Sequence, residues 1–183
     1  MKYRLTRVWF LLASLWLMMP LSAAAQIDCK ALPKWIKLDE KLSLNQKHVF
    51  CGEWHKDHPK GFHARPDGMN PTTVAHMSIQ SNPNAAGVYT GRWIYKNHPE
   101  KEKFSSMFPD RCTMTQILNS IRHAVMHVGE CPSGSPDWVR CGYNKPDTNS
   151  DSARYCSVDQ TRFIIGFAPP QRGKVNTAFP LFE

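Results

Sequence analysis

The sequence predicts an α+β domain in which antiparallel β-sheets pack with a few helices. Three observations lead there. Thr113 to Val128 is the one stretch with sustained helical periodicity. Six short stretches are rich in Val, Ile, Thr and aromatic residues and are parted by Gly, Pro and Asn clusters. No internal repeat or long low-complexity linker divides the chain.

The first element is a leader. Lys2, Arg4 and Arg7 precede an apolar run from Val8 to Leu21, and "SAAAQ" supplies the small residues a signal peptidase prefers. The run is shorter than the roughly 20 residues a membrane-spanning helix needs, so residues 1–25 read as a secretory signal peptide cut near Ala25. Residues 26–45 form a lead-in segment, and "CKALPKWIKLDEKLSLNQKH" mixes charged and apolar residues as a short helix does. Strands are expected over "KHVFCGEW", "TVAHMSIQS" and "GVYTGRWIYK", and later over "DWVRCGY", "TRFIIGFA" and "KVNTAFPL". "HPEKEK", Pro132 to Pro136 and "NKPDTNSDS" are polar and turn-rich, as surface loops are. Within the helix, Ile117, Leu118, Ile121, Ala124, Val125 and Val128 make one apolar stripe. Thr113 with Gln116 three residues on offers a capping box, and Gly129 is placed to end the helix.

Cleavage of the leader leaves 158 residues, one domain with enough chain for a core. The formal charge of +8 falls to +5 when three basic residues leave with it, an excess that suits a polyanionic partner. No second long apolar run follows, so no membrane association is expected after cleavage. Cys29, Cys51, Cys112, Cys131, Cys141 and Cys156 all lie in the mature part. An even count in an exported chain predicts up to three disulfides and a periplasmic or secreted location, whereas the absence of any Cys-x2-Cys pair speaks against zinc.

The candidate chemistry concentrates in "KHVFCGEWHKDHPKGFHARPDG", Lys47 to Gly68, which holds four of the eight histidines. His55, His58 and His63 crowd together like metal ligands, but Lys56 and Lys60 flank them and a fourth ligand at recognisable spacing is lacking. His123 and His127 stand four apart on the helix without a third ligand and read as partly exposed helix residues. Another grouping serves one reaction. Cleavage of RNA by its own 2′-hydroxyl needs a base, an acid and a cation beside the phosphorus. Imidazole suits both proton transfers, lysine suits the charge, and hydroxyl and aromatic groups can hold a base.

In those terms the residues resemble the EndoU-type, uridylate-specific endoribonucleases of bacterial toxins, animals and coronaviruses. "HVFCGEW…KGFHARPDG" is similar to the family's paired-histidine segment, "KFSSMFPDRCTMTQILNSIRHA" to its "STFFP" segment with the lysine just upstream, and "FIIGFAPPQRGKVNTAFPLF" to its closing hairpin. The resemblance covers residues 46–183 and implies an EndoU-like fold for them. It implies His48 and His63 as the catalytic histidines and Lys103 as the lysine, with Lys101 an open alternative. Thr177 matches the hydroxyl that contacts the nucleotide, Phe179 an aromatic against the uracil, and Ser105 and Ser106 the motif shaping the base pocket. Some members carry tyrosine where Phe179 stands, which removes a phenolic hydrogen bond here. Phe108 is expected in the core.

The resemblance implies an exported enzyme that cuts single-stranded RNA at uridines and leaves 2′,3′-cyclic phosphate and 5′-hydroxyl ends. His63 would be the base, His48 the acid and Lys103 the charge stabiliser. No cofactor is required, although some animal relatives respond to manganese. The expected partner is RNA, with a cognate inhibitor or immunity protein if the chain is a toxin, and the chain is expected to be a monomer. Two alternatives stand beside this reading: an inactive secreted module that binds RNA or another polyanion, and a metal-dependent exported hydrolase using His55, His58 and His63.

Overall fold

A computed structural model describes residues 26–148 and 152–183, so the expected leader lies outside the described residues. The chain opens on two strands, β1 (Trp35–Lys37) and β2 (Ser43–Asn45), paired antiparallel with Trp35 opposite Asn45. A short helix was expected over Cys29 to His48, but Asp39 turns the chain instead. Its carboxylate accepts from the amides of Lys41 and Leu42, and Leu38 N–H donates to Leu42 O. The segment expected as the strand "KHVFCGEW" begins as the short helix α1 (Gln46–Phe50). Asn45 caps it by accepting from the amide of His48 at 3.1 Å, a local bond that outweighs the strand preference of Val49 and Phe50.

β3 (Glu53–His55) and β4 (His58–Lys60) form a hairpin turned by Lys56 and Asp57, both with positive φ. A three-stranded antiparallel meander follows: β5 (Val74–Ser81), β6 (Tyr89–Tyr95) and β7 (His98–Met107). "HPEKEK", expected as a loop, is the first half of β7. This strand is at the edge of its sheet, where Glu100, Lys101 and Glu102 face solvent without cost to the ladder and Lys103 alone of the charged residues is partly buried.

Helix α2 (Met114–Met126) has the expected capping box, with Thr113 and Gln116 bonded reciprocally. It ends earlier than expected. His127 is the C-cap, and Gly129 belongs to the short strand β8 (Val128–Gly129). β8 pairs with β9 (Arg140–Tyr143), β9 with β10 (Ile164–Phe167), and β10 with β12 (Ala178–Pro180), all antiparallel. "KVNTAFPL" is thus two strands, because β11 (Lys174–Val175) leaves to pair in parallel with β2 before Asn176 and Thr177 lead into β12.

Two hydrophobic clusters result. The larger joins Val49, Phe50, Ile117, Ile121, Ile165 and Phe167 beneath α2, and Phe108 lies in it against Phe163 as expected. The smaller collects Phe62, Met77, Tyr89, Trp93 and Met107 on the meander. Arg65 ties the two by donating to Tyr89 Oη at 2.7 Å and pairing with Asp110 at 2.9 Å, while Tyr89 donates to the same carboxylate. Three disulfides form, Cys29–Cys51, Cys112–Cys156 and Cys131–Cys141, so all six cysteines are paired. Among the described residues no helix is long and apolar enough to cross a membrane.

Candidate active site

His48 lies on α1 and His63 just beyond β4, and the backbone between them folds so that the two are neighbours. Phe62 N–H donates to His48 O and His63 N–H to Val49 O, each at 2.7 Å. This close approach passes through Gly61 at φ +72°, where a Cβ would stand 2.1 Å from His48 O. Only glycine fits there. Phe62 also has a positive φ, and its ring packs edge-on to Trp93 at 5.3 Å, which secures the turn from below.

The result is two buried imidazoles, 8% and 7% exposed, with ring centroids 6.4 Å apart. Each has its Nδ1 on a partner other than the neighbouring ring. His63 Nδ1 lies 3.0 Å from the carbonyl oxygen of Ser106, which can only accept, so Nδ1 carries the proton and Nε2 keeps a free lone pair. His48 Nδ1 lies 2.8 Å from Glu53 Oε2. That carboxylate is held down to about pKa 2, chiefly by the His48 bond and further by Lys34 at 3.0 Å, so it is ionised and accepts from the His48 ring. His63 has the opposite setting. Burial first, then the charge of Lys103, push its pKa well below 6.5 and keep it neutral. Asn45, fully buried, joins these parts: its amide donates to Glu53 Oε2 and to Asn176 Oδ1, each at 3.2 Å.

Lys103 enters from β7, directly opposite the buried Trp93 on β6. Burial lowers its ammonium pKa to about 8. Its Nζ donates to Phe104 O and Ser105 Oγ, each at 2.9 Å. The Ser105 hydroxyl also accepts from Trp93 Nε1 and donates to Gly61 O, both at 3.1 Å, so it is fully engaged in holding the lysine. Lys101 is elsewhere: its ammonium donates to Asp57 O and sits over the Trp54 ring.

A cleft of about 380 Å³ gathers these residues. His48, His63, Lys103, Ser105, Ser106, Thr177 and Phe179, each named from the sequence, all line it, and Lys101 does not. The Phe179 ring stands 5.3 Å from that of His63, at 31°. His55 and His58 are exposed on the β3–β4 hairpin, away from the buried His63. Among the described residues no group of three or more His, Cys, Asp or Glu side chains is placed to hold a metal ion. His123, in the last turn of α2, and its C-cap His127 stack at 4.3 Å, the first partly buried and the second exposed.

Sequence reasoning missed Glu53, Asn45, Phe104 and Trp138. Glu53 belongs to the "HVFCGEW" segment and its position was in view, but its contact with His48 needs the turn at Gly52. Phe104 and Trp138, 53% and 52% exposed, both line the cleft, and exposed aromatics of this kind carry no sequence signature. Comparison with curated proteins and with solved structures finds no match. A family model described as bacterial EndoU nuclease matches residues 43–182. That match runs through the whole cleft, from His48 to Phe179, and by it the chain belongs to the bacterial EndoU nuclease family.

Proposed function

We propose that this nuclease is an exported endoribonuclease that cuts single-stranded RNA after uridines by transesterification, leaving 2′,3′-cyclic phosphate and 5′-hydroxyl ends. The observation that carries the reading is the opposed setting of two adjacent imidazoles, one neutral on a carbonyl and one on an ionised carboxylate. His63 Nε2 takes the proton of the 2′-hydroxyl as O2′ bonds to phosphorus. The P–O5′ bond breaks as His48 Nε2 delivers its proton to the departing oxygen. Lys103 offsets the charge that grows on the phosphorane oxygens between them. The nucleophile is held beside the phosphorus by the substrate's own ribose, so the reaction needs no metal to generate it. Phe179 offers a face for the uracil, with Thr177 and Ser106 in the lining of the same cleft. Three disulfides support work in an oxidising compartment.

An RNA with one uridine, assayed in EDTA, tests this directly. The unmodified RNA is cut once, and the same strand with 2′-deoxyuridine at that position stays intact. Cutting of the deoxy strand would exclude the mechanism, and loss of all cutting in the chelator would exclude its independence of metal. A folded His63→Ala protein that still cuts would exclude the site.

A further inference from the structure

Beside the cleft lies a second recess, and it is the larger, about 650 Å³ against about 380 Å³. The indole of Trp138 lines both, so the two are neighbours on one surface. The walls of the recess include two tryptophans, Trp35 and Trp138, and two exposed cations, Arg140 and Lys174; Asp137 is the acidic side chain among them. Nothing in the transesterification uses it.

We propose that this recess binds a further nucleotide of the RNA strand, with its base on the exposed face of Trp138 and its phosphate on Lys174 and Arg140. The proposal rests on reading the chain as an RNA-cleaving enzyme. Aromatic continuity supports it: Phe179 stands 5.3 Å from His63, and Trp138 6.1 Å from Phe179, so a row of rings leads from the reacting centre to the recess. Charge supports it too. The Lys174 ammonium lies 5.1 Å from the centre of the Trp35 ring, and Arg140 projects from β9 on the same rim. Basic side chains interleaved with rings are what a single strand requires, because every base has a stacking face and every link a charge.

The recess is also rigid before anything binds. Trp138 sits in the loop closed by Cys131–Cys141, where Val139 N–H donates to Pro136 O at 3.0 Å. Lys174 leaves a tight turn in which Gln171 and Lys174 exchange two backbone bonds of 3.0 Å across Arg172 and Gly173, both with positive φ. Gly173 O accepts from Ser43 N at 2.8 Å, which pins the turn to β2, and Asn176 is fixed to Asn45. Preformed geometry of this kind removes an ordering cost from binding.

The test uses Lys174→Glu/Arg140→Glu in the mature chain, since neither residue lines the catalytic cleft. Two RNAs with one uridine are compared, a dinucleotide and a strand of about six nucleotides, each also in an uncut 2′-deoxyuridine form. For the longer strand, kcat/KM and the affinity of the uncut form fall by about tenfold or more, while values for the dinucleotide stay within about twofold. Lys174→Gln alone, at an exposed position, gives a smaller change in the same sense. Equal losses on both RNAs, or no loss on the longer one, would overturn the groove. If the unaltered chain binds the uncut long strand with this dependence yet cuts neither ribonucleotide form, the cleavage reading falls and the groove stands.

Discussion

Burial lowers the Lys103 ammonium from 10.5 to about 8, so at neutral pH the fold holds a cation where its charge is disfavoured. The folded pKa is depressed, so the stability linked to it is fully present above about pH 10.5 and is lost as pH falls through about 8. Lys103→Met should therefore raise stability at pH 7 by about 2 kcal/mol while lowering cleavage by about a hundredfold or more. Thermal melts from pH 7 to 11 check the first part, and the gap between the two proteins should close across that window. The same titration shapes the rate of the intact enzyme, which should decline once pH passes about 8 as the charge is lost. Lys103→Arg should move that decline upward. Glu53 acts through His48, so Glu53→Gln should lower kcat by about ten- to hundredfold with little change in KM, measured by steady-state kinetics on a dinucleotide. That His48, His63 and Lys103 share one cleft was legible only through the resemblance of their segments to a known family, because nothing in the chemistry fixes the order of such residues along a chain. The role of Glu53 was not, because it depends on which ring nitrogen the carboxylate meets.

At the scale of elements, α2 was readable to its first residue, since a capping box is a local contract between Thr113 and Gln116. The first histidine's element was not. Asn45 begins a five-residue helix in a stretch whose valine, phenylalanine and tryptophan speak for a strand, and a single side-chain bond decides between them. That bond places His48, and Gly61 then lets the backbone of Phe62 and His63 dock on its carbonyl end. Gly61→Ala sets a Cβ 2.1 Å from His48 O at a φ of +72°, so helix and turn must separate. The expected outcome is a loss of about 2 kcal/mol or more in denaturant unfolding and a fall in kcat of about a hundredfold, because the two imidazoles no longer share one distance. Thr113→Ala serves as the contrast: it costs about 1 kcal/mol in the same unfolding experiment and leaves kcat unchanged, since α2 contributes nothing to the lining of the cleft.

For the molecule as a whole, the cleft lies where the two hydrophobic clusters meet, with His48 and His63 on one side, β7 on the other and the C-terminal strands closing it. That the domain is α+β with antiparallel sheets followed from the strand and turn pattern. That β11 abandons β12 to pair with β2 did not, because a two-residue parallel contact leaves no periodicity to read. Cysteine number predicted the disulfides but not their pairing, which depends on these long-range contacts. The pairing matters to function in two different ways. Cys29–Cys51 encloses a separation of 22 residues and anchors the end of α1, whereas Cys131–Cys141 encloses only 10 and carries Trp138. Loop-closure entropy assigns about 3 kcal/mol to each. Replacing either pair with serines should therefore lower stability by similar amounts, while the kinetic results divide. Cys29→Ser/Cys51→Ser loosens α1 and should lower kcat on every RNA, a dinucleotide included. Cys131→Ser/Cys141→Ser frees the Trp138 loop and should raise KM for longer strands by more than for a dinucleotide, since Trp138 lines both the recess and the cleft. Equal kinetic losses in the two variants would mean that the disulfides serve only global stability and that the cleft and the Trp138 loop are not separately braced.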